Sequence, residues 1–398
     1  MGIRLAVLDD NPHLSWDGRT YPVDATFHRF LAALLDVPGS PVSELLHVVP
    51  VRPAGIQPAT QAVDERIVTV PTAPFAGIAG YLRRWPLMVA RNARPVRRAV
   101  HRADLVLLRL PASNAPLAAA IAAIAGRPRF GYVAGSAREV AASREFRGPS
   151  RWAAIGIGAA YDSVSALAAG PGHTIRVGES LLDGGVVTSL VEPWEVRSDA
   201  GTRPAPDARD DGQRLAWAGR LVPGKGLETL IDALALLAAA APVGRAPSLA
   251  ILGDGPHRDA LVNRAAAAGI GDRIAWLGHV SDRMAYLDAL ASADMFVFPS
   301  PAEGFPKVVL DAAAVGLPIL ASPVGALAEL AAMGLLVPVD PGDAGGLARS
   351  VVALTDDAAR AAQLREAGLR FAAGHTRPAE AERLIGRLRA LYPSLPWS

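Results

Sequence analysis

The chain contains no cysteine, and only two of its 40 basic residues, Lys225 and Lys307, are lysine. The first absence excludes disulfides and thiolate metal sites while leaving the compartment open. Long apolar runs are missing as well. The longest, such as Pro116 to Gly126, fall well short of the ~20 residues that cross a bilayer. Charge of one sign is not in excess: a formal net charge of +2 over 398 residues carries no nucleic-acid signature. The eight histidines are scattered without metal-ligand spacing, and Gly156-Ile-Gly158 lacks the third glycine of a dinucleotide loop. No basic leader with a cleavage site stands ahead of the first apolar run, Gly2 to Leu8, so a cytoplasmic protein is the expectation.

What is present is globular. Hydrophobic residues make up 51% of the chain and charged residues 20%, enough for two domains with ample cores. Strand-like apolar runs alternate with alanine- and leucine-rich helical stretches, which predicts α/β layers around parallel sheets. Residues 192–212 (EPWEVRSDAGTRPAPDARDDG) lack apolar periodicity and read as a linker. The expected organisation is therefore 1–191, the linker 192–212, a second domain over 213–375, and a final amphipathic helix within 376–398 that crosses back. In the second half, strands are expected at 214–219, 248–252, 273–277, 294–298, 318–321 and 335–337. Helices are expected near 226–240, 257–268, 282–292, 306–315 and 326–332. The first half gives strands near 3–8, 45–49, 66–70, 104–108 and 129–133.

Both lysines sit in loops leaving a strand and entering a helix, AGRLVPGKG and EGFPKVVLD. There an ammonium, free backbone N–H groups and a helix dipole together favour an anion such as phosphate. In Glu303-Gly-Phe-Pro-Lys-Val-Val-Leu-Asp311, one carboxylate lies in the loop and the other about one and a half turns inside the helix. An anion held by Gly304 to Lys307 would have a carboxylate on either side, suited to sugar hydroxyls. The same segment also fits a plain helix start whose acids answer the dipole.

The stretches AGRLVPGKGLETLIDAL, LAILGDGP, RIAWLGHVSD and ADMFVFPSPAEGFPKVVLDAAAVGLPILASPVGALAEL, spanning about 214–340, resemble family 4 of the retaining glycosyltransferases. That resemblance implies a GT-B fold of two Rossmann-like domains facing a central cleft. It implies Arg220 and Lys225 on the donor diphosphate, and Glu303 on the donor-sugar hydroxyls. Gly304, Phe305, Pro306 and Lys307 would border the donor, Val280 would meet the base edge through its loop backbone, and Asp311 would face the ribose. Asp311 stands where the family has a second glutamate, one methylene longer. No D-x-D triplet occurs, so the resemblance implies transfer without a metal and without a resident cofactor.

The first half departs further from the family. Its loop after the first strand is DDNPHLSWDG, with Gly18 as the only glycine and the donor-side candidate there. Ala134 or Gly135 stands where many members have a histidine. Arg109, in Leu108-Arg109-Leu110-Pro111, is the acceptor-side candidate, or else pairs with a carboxylate at a strand end. Asp9-Asp10 reads as a strand end. Residues 81–102 carry seven arginines and no acid, with Trp85, Leu87 and Met88 interleaved. They suit either a solvated helix or a peripheral contact with membrane or carrier lipid, with Pro86 and Pro95 breaking a continuous amphipathic helix. The expected partners are a nucleotide-sugar donor and a small-molecule, glycan or lipid-carrier acceptor, with no nucleic acid, in the cytoplasm or at the inner face of its membrane. A phosphorylase or sugar-nucleotide epimerase, and a non-catalytic nucleotide-sugar-binding protein, remain alternatives on the same cleft.

Overall fold

The computed structural model describes residues 2–58, 60–75, 77–134, 149–170, 174–178, 181, 185–189, 191–197, 212–242 and 244–397. The first sheet is built from β1 (Ile3–Leu8), β2 (His13–Trp16), β3 (Arg19–Pro22), β4 (Val42–Pro53), β5 (Ile67–Thr72), β6 (Leu105–Leu110), β7 (Arg129–Val133) and β8 (Thr174–Arg176). Its order is β3-β2-β4-β1-β6-β7-β8, with β5 also paired to β4. The helices here are α1 (Ala25–Asp36), α2 (Gly77–Arg83), α3 (Trp85–Arg102), α4 (Ala115–Ile124) and α5 (Pro149–Ala169). The second sheet, β9 (Arg214–Ala218), β10 (Ser248–Leu252), β11 (Ile274–Gly278), β12 (Met295–Phe298), β13 (Ile319–Ala321) and β14 (Val337–Pro338), is parallel in the order β11-β10-β9-β12-β13-β14. Its helices are α6 (Leu227–Ala240), α7 (Arg258–Ala267), α8 (Arg283–Ala291), α9 (Lys307–Ala314), α10 (Ala326–Ala332), α11 (Ala344–Asp356), α12 (Ala358–Gly374) and α13 (Arg377–Leu391).

The second sheet follows the sequence reading to within a residue or two, because its central strands are buried on both faces and read as unbroken apolar runs. The first sheet holds a correction. DDNPHLSWDG is not one long loop: its second part forms β2, which pairs antiparallel with β3. Asp17 and Gly18 turn the hairpin, both left-handed at φ +48° and +71°. A two-residue Asp-Gly loop is a strong hairpin signal, and that turn accounts for Gly18's left-handed backbone. Its position is exposed, and a Cβ there would touch nothing within 4 Å.

A second correction concerns Pro95, which lies inside α3 without ending it. Met88, Asn92, Val96 and Ala99 share one buried face, and that packing outweighs the lost backbone donor. The expected linker also begins as ordered structure. Pro193–Glu195 is a single 3-10 turn whose Glu195 is 5% exposed, while 198–211 lies outside the described residues.

The two halves are joined by the segment around 185–197 and by α13. Ala381, Leu384, Ile385 and Leu388 of α13 share a core with Phe27, Phe30, Leu31 and Leu34 of α1. Glu380, fully buried at the start of α13, accepts from the Val187 N–H at 2.7 Å and contacts His375 Nδ1 at 2.5 Å and Arg383. Removing it leaves the buried Val187 N–H and the half-buried Arg383 guanidinium without their acceptor. Glu380→Ala is therefore expected to lower unfolding free energy by about 1–3 kcal/mol, read from urea melts against the parent.

Candidate functional site

In a parallel α/β sheet the ligand crevice opens beyond the C-terminal strand ends, where connections leave in opposite directions. In the second sheet that point lies between β9 and β12. The loop after β9 carries Arg220 and Lys225, and the loop after β12 carries Glu303. The loops press together: a Cβ on Gly226, left-handed at φ +74°, would lie 2.0 Å from the Pro299 carbonyl oxygen. Only glycine fits there. Its neighbour Lys225 thereby reaches Glu303, with Nζ to Oε1 at 2.6 Å, and Ser300 Oγ donates to the same oxygen at 2.6 Å. Glu303 is 9% exposed by side chain and Lys225 30%, so the pair sits at the floor of an open crevice. Arg220 is exposed, and its side chain has no hydrogen-bond or ion-pair partner among the described residues.

Helix α9 starts over the same crevice. Pro306 stands at its N-cap without a side-chain cap; the Val309 N–H donates to the Pro306 carbonyl at 3.0 Å, and those of Lys307 and Val308 retain their capacity to bind an anion. Lys307, the first residue of α9, is half-buried. Burial pulls its pKa down, while Asp24 at the start of α1 favours its charge and Arg109 opposes it. Lys307 thus faces charges of the first domain. Phe305 has a structural job: a Cβ on Gly178 would meet Phe305 Cβ at 2.7 Å, which places the side chain against the turn that follows β8. Gly304 accepts from the Ala326 N–H at 3.1 Å. Val280 is half-buried in the loop after β11, on the same edge of the sheet.

Asp311 differs from its expected role. It is 4% exposed, and both oxygens are taken: Arg283 Nη2 donates to Oδ1 at 2.8 Å and the Tyr286 hydroxyl to Oδ2 at 3.3 Å. Arg283 also grips both oxygens of Glu195, at 3.0 and 2.8 Å. Burial pushes the Asp311 pKa up, with Arg283 opposing. The shorter side chain ends inside the protein, held by an arginine that ties the connecting segment to α9. Sequence reading missed Arg283 and Glu195, since neither lies in a motif. Together they line a cavity of about 560 Å³ whose far wall includes Ala25, His28 and Arg29 of α1.

The first domain presents its own reversal point, between β1 and β6. Arg109 Nη1 donates to Asp9 Oδ1 at 2.8 Å, with the guanidinium 4.3 Å from the centre of the Phe27 ring. Burial alone would raise Asp9, but Arg109 and His47 outweigh it and hold the carboxyl well below the usual range. Asp10 goes the other way. Burial pushes it up to about 6, although its Oδ2 accepts from the Ser113 N–H at 2.7 Å and from Ser113 Oγ at 2.6 Å. The two adjacent acids signalled a strand end in the sequence, and their opposite environments were not legible there.

Three of the scattered histidines meet in the core. Ring nitrogens of His13, His28 and His47 lie within 4.8 Å of one another. Their hydrogen bonds set the tautomers. His13 Nδ1 faces the Asn11 carbonyl oxygen at 3.0 Å, which leaves Nε2 as a lone pair. His28 Nε2 accepts from the Asp64 N–H at 3.0 Å, so its inward Nδ1 carries the proton. The set therefore offers fewer than three lone pairs and falls short of a metal site. Burial, reinforced by their mutual proximity, pulls His13 and His28 down to about 4.

Residues 212–357 match the family model described as "Glycosyl transferases group 1". The chain is 36% identical over 148 residues to the glycogen synthase of Mycobacterium tuberculosis, covering 37% of this chain and 35% of that protein. It is 29% identical over 194 residues to a GDP-mannose-dependent monoacylated alpha-(1-6)-phosphatidylinositol monomannoside mannosyltransferase of Corynebacterium glutamicum, covering 47% and 49%. The chain thus spans between about a third and a half of the length of these curated relatives. Among solved structures, sucrose-phosphate synthase from Thermosynechococcus elongatus superimposes with a TM-score of 0.67 at 16% identity over 99% of this chain and 100% of that one. Anabaena HepE in complex with UDP-glucose gives 0.62 at 17% over 98% and 100%. These likenesses show the fold, GT-B.

A carboxyl whose pKa is higher in the fold than in the unfolded chain binds its proton more tightly when folded. Its contribution therefore weakens folding as pH rises from the ordinary 3.8 through about 6. Asp10→Asn removes that titration and keeps an oxygen for Ser113 to donate to. The variant is expected to gain stability over the parent as pH rises from about 4 to 7, up to about 3 kcal/mol, and to lose the advantage below about pH 4. Denaturant melts across that range check it, and a difference independent of pH contradicts it.

Proposed function

We infer, from the match of residues 212–357 to the glycosyl transferases group 1 model, that the chain is a retaining glycosyltransferase. It moves a sugar from a nucleotide-diphosphate sugar to an acceptor hydroxyl without a metal. The observation that carries this reading is the Lys225–Glu303 pair at the floor of the crevice, beside the unpaired Arg220 and the uncapped start of α9.

The chemical demand is to stabilise the departing diphosphate while the anomeric C–O bond breaks. Arg220, Lys225 and the N–H groups at the start of α9 supply fixed positive charge, which needs no reorganisation at the moment of reaction. Glu303 is held by Lys225 and Ser300 in position to accept from donor-sugar hydroxyls. Lys307, between the two domains, adds charge from the acceptor side of the diphosphate. No side chain is assigned as nucleophile. The acceptor hydroxyl attacks from the face that the diphosphate leaves, and a phosphate oxygen takes its proton. The ribose meets the Arg283–Asp311 pair rather than a free carboxylate. The acceptor is a small molecule, a glycan or a lipid-linked sugar of the kind named for the Corynebacterium relative. No helix among the described residues is long and apolar enough to cross a membrane, so contact with one would be peripheral, through 81–102 on the cytoplasmic side.

Lys225→Ala and Arg220→Ala are each expected to lower turnover by about two to three powers of ten with the melting temperature unchanged. Release of nucleoside diphosphate from candidate nucleotide sugars, with acceptor extracts present, measures it. Chelation is expected to leave the rate intact. Near-normal turnover in both variants would remove the diphosphate from this crevice, and a strict need for a divalent ion would remove the metal-free mechanism.

A further inference from the structure

Buried polar groups that the crevice does not use converge on one point of the first domain. His13, His28 and His47 are 1%, 5% and 1% exposed. They come from β2, α1 and β4, whose packing brings the ring centroids to 6.3, 5.2 and 6.0 Å from one another. The rings do not hydrogen-bond each other. His13 Nε2, His28 Nδ1 and both nitrogens of His47 are buried without a partner among the described residues. Buried polar atoms are almost always bonded, to protein or to ordered water, so these orphans call for a common partner.

Geometry and proton balance identify it. One nitrogen from each ring lies within 4.8 Å of the other two. Three atoms so spaced share a point within ordinary hydrogen-bond reach of all of them. A metal would need a lone pair from each ring at about 2.0–2.1 Å. His28 presents an N–H instead, because its Nε2 already accepts from the Asp64 N–H. Water suits both kinds of neighbour. Its oxygen accepts from His28 Nδ1–H, and one hydrogen goes to His13 Nε2, left as a lone pair because Nδ1 engages the Asn11 carbonyl. The other hydrogen needs an acceptor on His47. His47 Nε2 faces Asp9 Oδ2 at 3.7 Å. A carboxylate there favours the proton on Nε2 and leaves Nδ1 to accept. Such a water makes about three hydrogen bonds, the usual number for a buried one.

We propose that the three imidazoles enclose a single water, and that this water fixes His47 in the Nε2–H tautomer, aimed at the carboxylate that holds Arg109. The chain runs from the Asp64 N–H through His28, the water and His47 to Asp9, whose Oδ1 accepts from Arg109 Nη1 at 2.8 Å. His47 is thus a positioning residue for the charged pair at the reversal point of the first sheet, whatever the cleft transfers. His28 and Asp64 also line the cavity of about 560 Å³ beside the connecting segment, which gives the water a route in.

Long-range proton–nitrogen NMR of the full chain, with histidine labelled at its ring nitrogens, tests this near neutral pH. His13→Gln, His28→Gln and His47→Gln assign the three rings. His13 and His28 are expected as Nδ1–H tautomers and His47 as Nε2–H. An Overhauser cross-peak, opposite in sign to chemical exchange, is expected from His28 Nδ1–H to the water frequency. A proton on His47 Nδ1 overturns the proposal, as does a His28 Nδ1–H without that cross-peak. One equivalent of Zn²⁺ that removes the cross-peak and shifts all three rings overturns it too, and would assign the centre to a metal. The positioning role has its own readout in the buried Nε–H of Arg109. His47→Gln, whose amide can donate toward Asp9, is expected to keep the parent signal, and His47→Leu to shift it. The same signal in both variants removes His47 from that role.

Discussion

Lys225 and Glu303 meet at 2.6 Å across the point where a parallel sheet reverses its order, and the geometry of the site follows from that contact. The reversal leaves β9 and β12 side by side with their following helices departing in opposite directions. The two loops can therefore touch, provided that Gly226 lets one backbone press on the other. The pair neutralises itself in the free chain, and on the proposed reading its members part as a cation and an acceptor when a diphosphate and a sugar compete for them. Arg220 and the start of α9 add positive potential on either side, so an anion entering the crevice meets several donors.

The first domain mirrors this arrangement with different chemistry. At its own reversal point the charged pair is Arg109 and Asp9, packed over Phe27, and the neighbouring Asp10 is a carboxyl poised near neutrality. Lys307 feels Asp24 and Arg109 from across the cleft, so the charges of the two half-sites act on one another. The connecting segment takes part too. Glu195 is bound by Arg283 and Arg283 by Asp311, so α9 is tied to the first crossing of the chain, while Phe305 just ahead of α9 packs on Gly178 after β8.

Legibility in the sequence followed burial. Strands of the second sheet are apolar on both faces, and their ends carry Arg220, Lys225 and Glu303 in compact motifs, so fold and crevice could be read together. Asp311 was legible as a motif position but not in its contacts. Whether a carboxylate faces a ligand or an arginine depends on Arg283, 28 residues away in sequence and on another helix. The hairpin around Gly18 was missed because the missing glycine pattern drew attention away from an Asp-Gly turn signal. The histidine cluster was invisible for a simple reason: His13, His28 and His47 come from β2, α1 and β4, and no local spacing records that convergence.

The scarcity of lysine makes the central claim directly measurable. An amine-specific acylating reagent followed by peptide mass spectrometry reads Lys225 and Lys307 individually, because the chain holds no other lysine. Lys225 is 30% exposed and open to reagent in the free chain, and burial lowers the pKa of Lys307 toward its reactive neutral form. If both ammonium groups line one diphosphate site, a saturating nucleoside diphosphate of the preferred base slows acylation of both, Lys225 most strongly. Unchanged labelling of both lysines across all the common nucleoside diphosphates would contradict the account.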